Sequence, residues 1–295
     1  MTDARNEPWT VLRLLDWTKG YLERADVESP RLCAEILLAD SLACKRMELY
    51  TRHDYQPNEQ QLTAFREKVK KAAEGQPTAY LVGRKEFYSL TFRVTPAVLI
   101  PRPETELLVD HAVEHLRSLS GSTTCWDVCT GSGCVAAAVA KHAPGATVLA
   151  TDISPEVIAV ARENIETLGL AGRVTCAVAD LLIAPEEWTG EAFFDAITAN
   201  PPYVADGDEV GRGVEYEPAG ALRAGAEGLD VLQPLIAAVP ARLKPGGVFC
   251  VEFGQGQADA VRDWIVATGA MEEPTILRDS QAIERAAVTK KKRGA

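Results

Sequence analysis

From residue 124 onward the sequence alternates short β-branched or apolar runs with longer segments of helical period, and this alternation restricts the fold more than any other feature. Strands are expected at 124–129, 146–151, 173–179, 193–199 and 247–253, with helices at 133–142, 155–168, 229–243 and 256–268. Parallel strands need crossover connections, and helices supply them. The pattern therefore predicts an α/β fold, a doubly wound and mainly parallel sheet with helices on both faces. The stretch "PTILRDSQAIERAAVTKKK" adds two strands around a turn, an antiparallel finish that brings the sheet to seven strands. The basic end KKKR (290–293) reads as a solvated tail.

The first part of the chain follows a different rule. Residues 1–83 hold helical segments that form an N-terminal bundle: "TVLRLLDWTKGYLE" after Thr10, "SPRLCAEILLADSLA" opened by Ser29 and Pro30, and "NEQQLTAFREKVKKAAEG" from Asn58 to Gly75. Residues 84–100, "RKEFYSLTFRVTPAVLI", turn to β-branched and aromatic residues and predict a linking hairpin with its turn near Ser89. Residues 101–295 then form the α/β domain.

Composition removes several classes of function. Net charge is 31 − 42 = −11, against the clustered Lys and Arg that an extended nucleic-acid footprint needs. Seven cysteines, at 33, 44, 125, 129, 134, 176 and 250, show no CxxC spacing, and most lie in apolar segments. They read as buried reduced thiols in a cytoplasmic protein without a metal. His111 and His115 have i, i+4 spacing but no third ligand nearby, and read as an exposed helical face; His53 falls in a polar turn. The first residues, MTDARNEPW, have no apolar leader core, and no apolar run approaches membrane-spanning length.

Chemistry concentrates at the strand ends. "WDVCTGSGCVAAAVA" passes from a strand through Thr130, Gly131, Ser132, Gly133 and Cys134 into an alanine-rich helix. Such a turn lets the backbone approach a ligand and leaves helix N–H groups unpaired. In "VLATDIS", Asp152 ends the next strand 21 positions after Gly131. Its carboxylate is placed either to accept both hydroxyls of a ribose or to cap the helix beginning near Pro155. The fourth strand runs into Asn200-Pro201-Pro202-Tyr203. Two prolines end β-pairing and stiffen the exit, which fits a rigid turn or a fixed pair of hydrogen-bond acceptors.

Asp127, four residues ahead of Gly131, decides between nucleotide-like ligands. D-x-C-x-G-x-G resembles the glycine loop of S-adenosylmethionine-dependent methyltransferases, usually D-x-G-x-G-x-G, with Cys129 in place of the first glycine. Asp180 and Leu181 stand where that fold contacts the adenine. In this setting NPPY reads as a site for a planar –NH₂: the Asn200 side-chain oxygen and the Pro201 carbonyl accept its two N–H bonds, and Tyr203 packs against the plane. The amine of adenine, of cytosine or of glutamine would satisfy it.

Other segments narrow the choice. "GRKEFYSLTFRVTPAVLIPRPETELLV" (83–109), "SPRLCAEILLADSLACKRMELY", "ATDIS", "NPPYV", "YEPAGALRAGAEGLD", "LKPGG" and "RDSQAIERAAV" together resemble the HemK/PrmC family over nearly the whole chain. Ala219 and Ala224 stand where the family frequently has arginine and glycine. The resemblance implies a seven-stranded methyltransferase sheet and S-adenosylmethionine as methyl donor. It implies that the acceptor is the side-chain nitrogen of the glutamine in the GGQ motif of class I peptide chain release factors. It puts cofactor contacts on Thr130–Cys134, Asp152, Leu181 and Asn200, and the substrate glutamine on Asn200–Tyr203. Arg102 and Glu104, in RPETE, serve either the site or the hairpin's anchorage. The helical bundle would dock the release factor, because a glutamine at a loop tip offers little surface by itself. An N6-adenine methyltransferase of DNA or RNA is the alternative that NPPY alone permits, and a non-catalytic cofactor-binding scaffold is a third.

Overall fold

The computed structural model of the chain describes residues 8–294; Met1–Glu7, whose sequence was read for a leader, lies outside them. The chain divides into two compact units, one running to Arg84 and taking in Val210–Tyr216, the other comprising Lys85–Glu209 and the chain from Glu217 onward.

The first unit holds α1 (Val11–Arg24), α2 (Pro30–Ser41), α3 (Glu48–Thr51), α4 (Glu59–Ala73) and α5 (Thr78–Val82). The Arg13 N–H donates to Thr10 Oγ1 at the start of α1, and Asn58 and Gln61 close a reciprocal capping box on α4. Ser29 departs from expectation: its backbone is left-handed, φ 48°, and its side chain makes no cap bond. Leu14, Leu22, Leu37, Leu38 and Phe65 meet in one buried core, each such side chain stabilising by about 1.5–3 kcal/mol. Within this unit the Tyr216 hydroxyl donates to the Glu74 carbonyl at 3.3 Å and ties in the 210–216 segment.

The hairpin of β1 (Arg84–Phe87) and β2 (Leu90–Arg93) is shorter than the predicted 84–100 span. It turns through Tyr88 and Ser89, both at positive φ (48° and 60°), the geometry that matches strand twist in a two-residue turn. Residues 94–100 leave the ladder and run on toward α6 (Glu106–Ser118). Beyond it come β3 (Thr123–Val128), α7 (Cys134–His142), β4 (Ala146–Asp152), α8 (Pro155–Thr167), β5 (Val174–Val178) and β6 (Phe194–Ala199). The chain closes with α9 (Leu232–Ala238), β7 (Leu243–Glu252), α10 (Ala258–Ala267), β8 (Thr275–Arg278) and β9 (Glu284–Lys290).

The seven-stranded sheet has the order β5-β4-β3-β6-β7-β9-β8. Strands β5 to β7 are parallel, and β9 runs antiparallel to both β7 and β8. Side chains alternate across it. Cys125, Val148, Ala196 and Cys250 face the core that holds α6, α7 and α8, while Trp126, Leu149, Ile197 and Phe249 face the one that holds α9 and α10. Inside the second core, the Trp126 indole N–H donates to Thr151 Oγ1 at 2.8 Å, which satisfies its only polar atom. The basic end is not a solvated tail. Lys290 pairs with Val248, and the Lys291 ammonium donates to the carbonyls of Pro240 and Leu243. His115, expected on an exposed face, is half-buried, and burial holds its pKa below the usual histidine value. All seven cysteines are free thiols. No helix among the described residues is long and apolar enough to cross a membrane.

Candidate active site

Strand order reverses beside β3, which has β4 on one side and β6 on the other. Open α/β sheets leave a crevice outside the carboxyl ends of the strands at such a point. A cavity of about 520 Å³ lies there, lined from these strand ends by Cys129–Ser132, Asp152–Ser154, Ala179–Leu181, Asn200 and Pro202. Ala97–Leu99, Arg102 and Thr105 line it from the segment before α6, and Pro218, Gly220, Ala221 and Arg223 contribute from the loop after NPPY.

The glycine loop is built on alternating left-handed residues: Cys129, Gly131 and Gly133 have φ of 56°, 55° and 79°. Only glycine takes that conformation without cost, so Cys129 occupies a strained position that a glycine would relieve. Asp127 supports the loop from below. It is buried, and its carboxylate accepts from Thr130 Oγ1 at 2.6 Å and Thr198 Oγ1 at 2.8 Å. Burial pushes its carboxyl up to about 6 despite both hydroxyls. Gly133 does not line the cavity; a Cβ there would come within 3.3 Å of the Ala161 Cβ, so this glycine permits close packing of α7 on α8.

Asp152 does not cap α8. That cap is Ser154, whose Oγ accepts from the Val157 N–H. Instead the Asp152 carboxylate accepts from the Gly131 N–H at 3.2 Å and the Ser154 N–H at 3.3 Å, and burial raises its pKa. Two of the roughly four acceptor positions of a carboxylate are thus used, leaving the others for a ligand in the cavity.

At the end of β6, Asn200 Nδ2 donates to Thr105 Oγ1 at 3.1 Å. With the nitrogen held, the Asn200 oxygen is the acceptor left for a ligand. The Tyr203 ring does not line the cavity. Its hydroxyl donates to Glu252 Oε1 at 3.0 Å, and Gln257 Nε2 donates to its carbonyl at 3.0 Å. Pro201 is buried, and Pro202 faces the cavity. Arg102 forms an ion pair with the buried Glu217, which also accepts from the Ile100 N–H at 3.0 Å. That pair joins the RPETE segment to the loop that follows NPPY.

Two family models match the chain: the PrmC N-terminal domain over residues 13–83 and the methyltransferase small domain over 103–215. The release factor glutamine methyltransferase of Rhodopirellula baltica is 41% identical, the match covering 97% of this chain and 98% of that protein. The one from Geobacter sulfurreducens is also 41% identical, over 89% and 90% respectively. The chain belongs to the release factor glutamine methyltransferase family. Among solved structures, the hMettl16 catalytic domain bound to an RNA hairpin superposes with a TM-score of 0.54 at 15% identity, covering 77% of this chain and 82% of that one. That likeness concerns the fold alone, a methyltransferase sheet with flanking helices.

In a member of this family the cavity's features fit S-adenosylmethionine. Its volume lies within the range of small-molecule sites. Asp152 offers acceptors at one edge, while Ile153 (69% exposed) and Leu181 present apolar surface beside it, as a planar base requires. Asp180 is exposed at the same rim. Sequence patterns did not single out Thr105, Glu217, Glu252 or Gln257. Each acts through a partner far along the chain, and no short motif contains both members of a pair.

Proposed function

We propose that this chain transfers the methyl group of S-adenosylmethionine to the side-chain amide nitrogen of the glutamine in the GGQ motif of class I peptide chain release factors. The observation that supports the reading is that Asn200 lines the same cavity as Asp152 and the glycine loop, with its amide nitrogen engaged by Thr105. An amide nitrogen is a poor nucleophile because its lone pair is delocalised. The Asn200 oxygen and the Pro201 carbonyl accept its two N–H bonds, hold the nitrogen in line, and favour the more pyramidal transition state. The cofactor supplies an electrophilic methyl on a sulfonium. Thr130, Gly131, Ser132, Cys134, Asp152, Asp180 and Leu181 would hold it, Asp152 through the ribose hydroxyls, while Gly133 serves the packing of α7 and Asp127 keeps the loop in shape. The proton is released after the methyl has moved, so no strong base is needed at the start.

The helical unit is the proposed docking surface for the body of the release factor, and the reaction belongs to translation termination in the cytoplasm. The test is labelled methyl transfer to purified release factor beside DNA, followed by mass spectrometry of the modified residue. A methylated glutamine in GGQ supports the reading; label on adenine alone overturns it in favour of nucleic acid.

A further inference from the structure

Behind Asn200 lies a chain of hydrogen bonds with a defined direction. Asn200 Nδ2 donates to Thr105 Oγ1 at 3.1 Å, Thr105 Oγ1 donates to Glu252 Oε2 at 2.7 Å, and the Tyr203 hydroxyl donates to Glu252 Oε1 at 3.0 Å. Thr105 and Glu252 are 2% and 1% exposed, so water does not compete for these groups. A threonine hydroxyl has one proton. Given to a carboxylate, it leaves Thr105 only lone pairs to offer, and Asn200 must answer with its NH₂. The carboxamide oxygen is then turned the other way. A protonated Glu252 reverses the order: its O–H donates to Thr105, the Thr105 proton swings to Asn200, and the carboxamide settles with its NH₂ outward. Two NH₂ groups would then face each other, with no acceptor between them.

Resting on the reading of Asn200 as acceptor for the substrate amide, we infer that Thr105 and Glu252 are positioning residues, the buried carboxylate setting through Thr105 which end of the Asn200 carboxamide meets the substrate. The groups that face Glu252 come from three places. Thr105 and Glu104 precede α6, Tyr203 follows β6, and Arg285 lies on β9. Burial pushes its carboxyl up to about 7; Glu104 adds to this, while the two hydroxyls and Arg285 oppose it. The switch in direction therefore falls near neutral pH. The same carboxylate anchors Tyr203, so both ends of the NPPY segment depend on one buried charge.

The test compares the wild-type protein with Thr105→Val, Thr105→Ser and Glu252→Gln, reading kcat and KM on release factor from about pH 6 to about pH 9. Cofactor affinity is read by calorimetry. Thr105→Val should lower kcat by about 30-fold or more while the cofactor Kd stays within about threefold, and Thr105→Ser should recover most of the loss. Wild-type kcat should fall as pH drops below about 7, and Glu252→Gln should be low and lack that limb. Equal losses in the valine and serine variants, or an unchanged acid limb in Glu252→Gln, would overturn the inference. A wild-type protein that leaves release factor unmethylated overturns the proposed substrate instead, and the relay is then read without one. In that case the Asn200 side-chain NH₂ resonances should show protection from exchange that is lost in Thr105→Val. They should also shift with a midpoint near pH 7 that is absent in Glu252→Gln. Resonances unmoved by both changes would overturn the relay itself.

Discussion

Replacing Asp152 by alanine separates cofactor binding from loop support. The carboxylate accepts two backbone N–H groups, from Gly131 and Ser154, at 3.2 and 3.3 Å, both toward the long end of the hydrogen-bond range. Their loss should cost little, and it is offset by removal of a carboxylate whose burial raises its pKa. The apo protein should therefore melt close to wild type. Asp152 lines the cavity with acceptor positions to spare, and a hydrogen bond to a charged group is worth about 1.5–3 kcal/mol. Loss of the ribose contact should accordingly weaken S-adenosylmethionine about 10- to 150-fold. Calorimetry at pH 8 gives the number. A cofactor analogue lacking both ribose hydroxyls should bind the variant and the wild type alike. If the analogue loses as much as the natural cofactor, Asp152 acts through the loop; if the natural cofactor binds unchanged, Asp152 does not touch it.

Asn200→Ala should abolish detectable turnover in the labelled-methyl assay while the cofactor Kd, by calorimetry, stays within about tenfold, because the contact proposed for it is to the substrate amine. At Cys129, whose φ is 56°, valine should destabilise by about 2 kcal/mol in urea unfolding, while glycine, relieved of strain but freer when unfolded, should stay within about 1 kcal/mol. Asp127 ionises in the folded protein only near pH 6, against 3.8 ordinarily. The folded state thus holds the proton more tightly, and stability falls as pH rises through that window. Asp127→Asn should remove that fall, about 3 kcal/mol between the two pH limits, when both proteins are unfolded in urea across the range.

The parallel half of the sheet was legible because strand and helix periods alternate cleanly. β3, β4, β5 and β6 begin and end within about two residues of expectation. Where the expectation slipped, backbone chemistry intervened. The helix predicted over 229–243 ends as α9 at Ala238, and the chain tightens into a 3₁₀ turn over Val239–Ala241 around Pro240, which has no N–H to continue the α ladder. β7 begins four residues early, at Leu243, and runs through Pro245 and two glycines beside a register shift in its pairing with β6. The helices α3 and α5 are too short, at 4 and 5 residues, to show a helical period in the sequence.

The site divides along the same physical line. Asp127, the glycine loop, Asp152 and Asn200 stand out in the sequence because each sits where a strand stops, and a strand end is visible in a contiguous run of residues; the structure brings them to one cavity. What holds those groups in a usable orientation has no such signature. Thr105 reaches Asn200 across 95 residues and Glu252 across 147, and Arg102 reaches Glu217 across 115. A lone buried glutamate at the end of an apolar strand reads only as the strand's last residue. Its meaning depends on two hydroxyls that arrive from elsewhere in the fold. Tyr203 shows the consequence: the motif suggests a ring laid against the substrate, but the hydroxyl's bond to Glu252 draws it behind the cavity wall. The NPPY segment thus lines the cavity through Asn200 and Pro202, with Tyr203 as the peg that fixes the segment to the sheet.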